Sequence, residues 1–174
     1  LQDGLTVVIS PLVALIDDQV AALQANGVAA ARIHSGRSRE DNVEDWRRVE
    51  SGAARLLYMS PERLMTPRML AALQRCSPAL FVVDEAHCVS KWGTNFRPEY
   101  GALSDLKQHF PEATVAGFTA TADTATQRDV AEKLFAGRGD VIVHGFDRPN
   151  LWLGVTPKTK WRDQLRQFLK TRAG

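Results

Sequence analysis

The sequence predicts an α/β fold in which a mainly parallel, doubly wound sheet carries helices on both faces. Strand-like and helix-like patterns alternate along the 174 residues, and this alternation is typical of parallel sheets. Residues 79–83 are continuously apolar, which indicates a strand covered on both sides. The length and the balance of 44% apolar to 24% charged residues are those of one ordinary globular domain.

The first strand and helix are predicted from their boundary residues. Residues 5–9 are a short β-rich run that ends in Ser10-Pro11. Ser is a favoured N-cap and Pro is favoured at the first helical position, so these two residues predict the start of a helix. Apolar residues then recur at helical spacing until Asn26-Gly27, which predicts its end.

A second helix is predicted from Ser38 and Asp41. The pair resembles a capping box with Asp in the place of the usual Glu, and it opens a charged helix that reaches about Glu50. The further predicted strands are residues 28–33, 55–59, 79–83, 114–118 and 141–144, and the further predicted helices are residues 67–75, 98–110 and 123–135.

A domain boundary is predicted at Arg148-Pro149-Asn150, which interrupts the alternation. A fresh strand over residues 151–155 and a basic helix over 158–170 follow, so the sequence divides into a domain at 1–147 and the start of a second at 148–174. Residues 156–174 carry six basic side chains against one acid. Such a segment is either a DNA-facing strip or a solvated helix face.

Cysteine content and hydropathy exclude several classes of protein. Cys76 and Cys88 lack the companions of a zinc site and fit a reducing compartment, so a cytoplasmic protein is predicted. No apolar run is long enough for a membrane span, and no signal peptide is recognisable.

The sharpest chemical signal is Asp84-Glu85-Ala86-His87, directly after the apolar run. Ligands of open α/β sheets bind outside the carboxyl ends of the strands, so both carboxylates are expected to face a site. One carboxylate there can hold Mg²⁺ through water while the metal bridges nucleotide phosphates. The other can orient or deprotonate an attacking water. The alternative is that the acidic pair only caps the following helix.

Further segments occur in the order found in helicases. Residues 10–15 resemble helicase motif Ia, residues 60–64 resemble motif Ib and residues 118–122 resemble motif III. Residues 88–100 resemble the aromatic-rich loop of RecQ helicases, and residues 146–151 resemble the RecQ segment that joins two motor domains. The chain therefore resembles most of the first motor domain of a RecQ-like DNA helicase, which implies a RecA-like fold of the P-loop NTPase type.

The resemblance implies an enzyme that uses ATP and Mg²⁺ to separate DNA strands with 3′-to-5′ polarity. Single-stranded DNA and duplex junctions are the implied partners, and DNA repair and recombination are the implied processes. Asp84 would hold Mg²⁺ through water and Glu85 would be the catalytic carboxylate of a DEAH box. His87, Thr119 and Thr121 would couple nucleotide state to DNA; alternatively, they are a buried histidine and two strand-end caps.

The segment after the acidic motif has the composition of a DNA-binding surface. Trp92 and Phe96 offer flat faces on which bases can stack. Lys91 and Arg97 can contact phosphates. The alternative is that the aromatic residues pack under the next helix; we favour packing for Tyr100 and DNA for Trp92.

Two serines that precede prolines are further candidates for DNA binding. Ser10 and Ser60 could present hydroxyl or backbone N–H groups to phosphates at helix N-termini, or they could be plain N-caps.

The chain departs from the RecQ pattern in the aromatic-rich loop. Lys91, Thr94 and Asn95 stand where the family has Gln, His and Asp, and Phe118 replaces a Leu. By the resemblance, the missing histidine would relay DNA contact to ATP hydrolysis.

A larger departure is the lack of a phosphate-binding loop. No glycine is followed by Lys, so the G-x-x-x-x-G-K-[ST] pattern is absent. By the resemblance, that loop and its strand lie upstream of Leu1, and the chain is expected to be a fragment without ATPase activity of its own. Two other hypotheses are a non-hydrolysing nucleic-acid-binding module and an RNA-directed DEAH helicase or restriction translocase. The last of these does not predict the aromatic-rich loop.

Overall fold

A computed structural model describes residues 4–90, 97–145, 150–151 and 154–170, and its centre is a five-stranded parallel sheet. The order across the sheet is β2-β3-β1-β4-β5, and every neighbouring pair is parallel. The strands are β1 (Thr6–Ile9), β2 (Ala30–Ile33), β3 (Leu56–Met59), β4 (Leu80–Val83) and β5 (Thr114–Gly117).

Eight helices and two 3₁₀ segments connect the strands or follow them in the described residues. The helices are α1 (Val13–Ala25), α2 (Arg39–Glu50), α3 (Pro61–Leu64), α4 (Pro67–Cys76), α5 (Pro98–Gly101), α6 (Leu106–His109), α7 (Thr124–Phe135) and α8 (Trp161–Lys170). The 3₁₀ segments are Ala86–Val89 and Ala102–Asp105.

Helices cover both faces of the sheet, as predicted. On one face Ile16 and Val20 of α1 pack with Ala30 against the half-buried Leu56 and Tyr58. The opposite face carries the larger core, in which alternate strand residues meet α4, α6 and the segments around them. Its fully buried members include Val7, Ile9, Leu57, Leu73 and Phe81. This two-sided burial explains why the strand sequences are continuously apolar.

Local capping signals give the correct start for α2 and α7. The Ser38 side chain accepts a hydrogen bond from the Asp41 N–H at 3.0 Å, so the predicted capping interaction is present. Asp123 caps α7 in the same way, with the Thr126 N–H 2.7 Å from its carboxylate.

The predicted start of α1 is wrong. The helix begins at Val13, and Leu12 rather than Ser10 stands at its N-cap. The backbone at Ser10 continues the sheet, since its N–H donates to the Met59 carbonyl at 3.1 Å. Its hydroxyl therefore lies inside the protein and does not reach the first turn of α1.

The predicted helix over residues 98–110 is broken into α5, a 3₁₀ turn and α6. Tyr100, Leu103 and Leu106 are all fully buried and lie three residues apart. A spacing of three matches the 3.0 residues per turn of a 3₁₀ helix better than the 3.6 of an α-helix. Gly101, a weak helix former, lies between the first two.

The predicted strand over residues 141–144 is not formed. Val141, Ile142 and Val143 are more than half exposed, and no strand pairing includes them. A strand needs a neighbour to satisfy its backbone, and among the described residues nothing pairs with the outer edge of β5. Residues 151, 154 and 155 of the next predicted strand are also not in a strand, and 152–153 lie outside the described residues.

The chain separates into two compact units, residues 1–141 and residues 142–174. The first contains the whole sheet. The second contains α8, whose side chains are all at least partly exposed. The predicted domain boundary after residue 147 stays a prediction. In the part of the chain that the structure describes, no helix is both long and apolar enough to cross a membrane.

Candidate active site

The carboxyl ends of β1, β4 and β5 bring the predicted chemical residues together. Ser10 follows β1, Asp84 and Glu85 follow β4, and Thr119 lies two residues beyond β5. Because these three strands are parallel neighbours, the residues that follow them meet at one edge of the sheet.

Asp84 is anchored through both its backbone and its side chain. Its N–H donates to the Ile9 carbonyl at 2.9 Å, which extends the β1–β4 ladder by one bond. One carboxylate oxygen accepts from the Glu85 N–H at 2.9 Å, and the other lies 3.4 Å from the Ser10 hydroxyl. The second contact is long, so that oxygen keeps most of its capacity to accept hydrogen bonds.

Glu85 occupies an uncommon backbone conformation. Its φ and ψ are 49° and 44°, in the left-handed region that non-glycine residues rarely adopt. It precedes the 3₁₀ segment, but its side chain makes no capping hydrogen bond. The alternative that this carboxylate only caps the next helix is therefore not supported.

His87 connects Glu85 with the residues after β5. It is buried, and its Nδ1 lies 2.8 Å from the Thr119 hydroxyl and 3.2 Å from Glu85 Oε2. The Thr119 hydroxyl also accepts from the Thr121 N–H at 3.3 Å. Four of the five residues predicted for hydrolysis and coupling thus form one connected group, and Asp84 joins it through the Glu85 backbone.

The residues predicted for DNA binding are only partly described. Lys91, Trp92 and Phe96 lie outside the described residues. Arg97 is exposed, and its guanidinium donates to the Pro11 carbonyl at 3.3 Å. Tyr100 is fully buried, as we predicted for that aromatic residue.

The two serines are both buried. Ser10 is 0% exposed and Ser60 is 2% exposed, so neither hydroxyl lies at the surface. Ser60 stands at the N-cap position of α3, but its side chain makes no capping bond. The structure therefore places Ser10 with the carboxylates and Ser60 at the buried start of α3.

Sequence reasoning missed two side chains that hold the backbone around the site. The Tyr100 hydroxyl donates to the Asp84 carbonyl at 3.1 Å. Lys133 of α7 donates to the Val89 carbonyl at 3.1 Å and pairs with Asp129 at 2.8 Å. A buried tyrosine usually has a hydrogen-bond partner for its hydroxyl. The residue type of Tyr100 was therefore a signal that its side chain binds a nearby polar group as well as packing in the core.

The donor set at the site fits a weakly held magnesium ion. Among the described residues no three His, Cys, Asp or Glu side chains cluster closely enough to cage a metal. Mg²⁺ usually keeps several waters and binds one or two carboxylates together with substrate phosphates. Among the described residues, the Asp84 carboxylate oxygen near Ser10 has only one long hydrogen-bond contact, so it is able to accept from a metal-bound water in that mode of binding.

Comparison with known proteins gives a consistent result. Residues 1–130 match the DEAD/DEAH box helicase family. The chain is 41% identical over 172 residues to "ATP-dependent DNA helicase RecQ" of Haemophilus influenzae, covering 99% of this chain and 28% of that protein. It is 35% identical to the protein of the same name from Bacillus subtilis, covering 99% and 30%. It is 36% identical to "ATP-dependent DNA helicase Q1" of Mus musculus, covering 90% and 25%. The chain thus spans less than a third of the length of these relatives.

Two solved structures share the fold. The helicase domain of Pyrococcus furiosus Hef superposes with a TM-score of 0.53 at 15% identity, covering 75% of this chain and 27% of that one. The C-terminal domain of the DEAD-box protein Dbp5 gives a TM-score of 0.50 at 7% identity, covering 78% and 73%. At these identities the likeness concerns the fold alone, and it confirms the predicted RecA-like architecture.

Proposed function

This chain belongs to the DEAD/DEAH box helicase family, and from that premise we propose that it forms most of the first motor domain of a RecQ-type, ATP-dependent DNA helicase. The observation that carries the proposal is the connected group of Glu85, His87 and Thr119 beside Asp84 at the carboxyl edge of the sheet. The high identity to RecQ helicases along nearly the whole chain supports the RecQ type within the family.

Each carboxylate has a separate part in hydrolysis. Asp84 would hold Mg²⁺ through water, and the bound metal would neutralise charge on the nucleotide phosphates. Glu85 orients the attacking water and accepts its proton. In a regular strand consecutive side chains point to opposite faces of the sheet, and the left-handed backbone at Glu85 breaks that alternation directly after Asp84.

His87 links the hydrolytic carboxylate to the segment that follows β5. A shift of Thr119 and Thr121 would change the hydrogen bonds of His87 and thereby the position of the Glu85 carboxylate. This chain of contacts supports a coupling role for all three residues.

The proposed DNA contacts involve Arg97 and three residues that precede it in the sequence, Lys91, Trp92 and Phe96. Arg97 is exposed and lies next to the loop after β1, where a phosphate could reach its guanidinium. Lys91, Trp92 and Phe96 remain candidates for phosphate contact and base stacking. Single-stranded DNA and duplex junctions are the proposed partners. A cytoplasmic role in repair and recombination is proposed with them.

The proposal assigns the phosphate-binding loop to another part of the polypeptide. This sequence contains no Gly-Lys pair, so nothing in it can cradle the β- and γ-phosphates as a P-loop does. The 174-residue chain alone is accordingly expected to show no DNA-stimulated ATP hydrolysis, and traces of activity that survive Asp84→Ala would come from a contaminant.

The test is strand separation by a full-length protein that carries this domain. Duplex DNA with a 3′ single-stranded tail should be unwound in the presence of Mg·ATP, whereas duplex DNA with a 5′ tail and duplex RNA should not. Binding of the 3′-tailed DNA without ATP hydrolysis would favour the non-hydrolysing module instead. Equal unwinding of RNA would favour an RNA-directed helicase.

A further inference from the structure

We propose that Tyr100 is a positioning residue for the Asp84-Glu85 pair. Its hydroxyl donates a hydrogen bond to the carbonyl of the peptide group that joins these two residues, where β1 supplies no backbone donor. This inference rests on the proposed function, in which both carboxylates act on Mg·ATP. It adds a residue that makes no contact with nucleotide or DNA in that scheme.

The need for such a residue follows from the register of β1 and β4. Ile9 lies opposite Val83, and the Asp84 N–H donates to the Ile9 carbonyl at 2.9 Å. Asp84 lies in the turn directly after β4. If the strand geometry continued through it, its carbonyl would point to the same side as its N–H, towards β1. The donor in a continued parallel ladder would be the backbone N–H of residue 11. Residue 11 is Pro11, which has no N–H.

Tyr100 supplies the missing donor. Its side chain is fully buried, and its hydroxyl lies 3.1 Å from the Asp84 carbonyl. A carbonyl oxygen can only accept a hydrogen bond, so the Tyr100 hydroxyl is the donor in this contact.

The consequence is a peptide group held on both sides. The carbonyl of Asp84 accepts from Tyr100, and the N–H of Glu85 donates to the Asp84 carboxylate at 2.9 Å. The orientation of this peptide plane sets φ of Glu85, which lies at 49°. Its carboxylate then lies 3.2 Å from Nδ1 of His87. Loss of the phenol hydroxyl would free the carbonyl and allow Glu85 to leave this uncommon conformation.

Tyr100 also connects the site with a candidate DNA contact. Its N–H donates to the Arg97 carbonyl at 3.0 Å, so both residues belong to one turn. The Arg97 N–H in turn donates to the Cys88 carbonyl at 3.1 Å, within the 3₁₀ segment after Glu85. A movement of Arg97 on binding phosphate would reach the peptide between the carboxylates through Tyr100.

The experiment removes one atom, by Tyr100→Phe in the full-length protein. Without nucleotide, hydrogen exchange at the Glu85 and Ala86 amides should accelerate about tenfold, the change expected for losing one hydrogen bond. DNA-stimulated kcat should fall by about tenfold for the same reason, while KM for ATP stays within about twofold.

Ser38→Ala is the matched control. It removes the capping bond to Asp41 on α2, away from the site, and should lower the melting temperature without changing kcat or exchange at Glu85. A second variant, Pro11→Ala combined with Tyr100→Phe, returns a backbone N–H opposite the Asp84 carbonyl. Exchange at Glu85 should then return towards the wild-type rate.

The outcomes separate this inference from the proposed function. Wild-type exchange and kcat in Tyr100→Phe, in a protein whose turnover is lost in Glu85→Gln, would overturn the role of Tyr100. No recovery of exchange in the double variant would overturn the account of Pro11. A wild-type protein without ATP hydrolysis would overturn the proposed function, and the exchange experiment would still decide whether Tyr100 positions the pair.

Discussion

The hydrogen-bonding state of His87 follows from its two neighbours. Nδ1 faces both the Glu85 carboxylate and the Thr119 hydroxyl. An ionised carboxylate can only accept, so a favourable contact requires the proton on Nδ1. The Thr119 hydroxyl can then accept from His87 and donate to the Thr121 carbonyl, which lies 3.4 Å away.

Glu85→Gln tests the proposed role of Glu85 as the general base at the residue scale. In the full-length protein we expect Mg·ATP binding to persist and DNA-stimulated turnover to fall by about 10² to 10⁴-fold, the usual contribution of a general base. The amide keeps the size of the side chain but has lost the charge and the basic oxygen. Turnover can be followed by phosphate release and binding by calorimetry. A variant within about threefold of wild type would show that another group activates the water.

At the scale of elements, a charged network attaches α2 to the edge of the sheet. Asp45 is 7% exposed and accepts from the Arg32 backbone N–H of β2 at 3.2 Å. Its carboxylate also pairs with Arg48 at 2.8 Å and with Arg37. Burial alone would raise the pKa of Asp45, but the hydrogen bonds and the charge of Arg37, with the other two donors, outweigh burial and lower it.

The lowered pKa makes the contribution of Asp45 depend on pH. A carboxyl whose pKa is lower in the folded state stabilises the fold above its unfolded pKa, near 4, and this stabilisation disappears as the pH falls through the folded value. Asp45→Asn should therefore reduce the free energy of unfolding at pH 7 by about 1.5–3 kcal/mol, the range for hydrogen bonds to charged groups. The difference from wild type should shrink progressively below about pH 4.

Urea unfolding at several pH values measures this effect. Asp163→Asn makes the same change in net charge on the exposed α8, where Asp163 forms a 3.7 Å contact with Arg166, and should have little effect at any pH. A stability difference for Asp45→Asn that is constant from pH 7 to pH 3 would contradict the prediction.

For the whole molecule, the important feature is the outer edge of β5. The N–H groups of Thr114 and Phe118 bond to the neighbouring β4 side, so those of the alternate residues Val115 and Gly117 face outwards. Within the described ranges no strand pairs with that edge, and the Phe118 side chain beside it is 59% exposed. An open edge with an apolar side chain promotes pairing between molecules.

The 174-residue chain is therefore expected to self-associate as its concentration rises. Phe118→Lys should shift it towards monomer, because a charge beside an open edge disfavours pairing. Sedimentation velocity at several concentrations measures the distribution. Val155→Lys adds the same charge at a 99% exposed position in the second unit, outside the sheet, and should leave association unchanged. A monomer at every concentration, or equal effects of both variants, would show that the edge of β5 is not the contact.

Much of the fold follows from local signals in the sequence. Periodicity and apolar runs predicted the five observed strands, and the capping pair at Ser38 predicted the start of α2. The position of Asp84 and Glu85 after a buried strand was enough to place them at the carboxyl edge of the sheet. These features depend on residues that are close in the chain, so they can be predicted from the sequence without knowledge of the tertiary contacts.

The remaining features depend on which segments become neighbours. Residues 141–144 have a strand-like sequence, but no described strand pairs with them. Ser10 continues the hydrogen bonding of the sheet and lies beside Asp84 instead of capping α1. The contact of His87 with Thr119 joins residues 32 positions apart. The bond from Tyr100 to the Asp84 carbonyl joins residues 16 positions apart. The sequence alone determined the five strands, the capped helices α2 and α7, the family resemblance and the acidic pair. The tertiary structure decided which polar groups satisfy one another, because a buried donor or acceptor takes its partner from whatever element packs beside it.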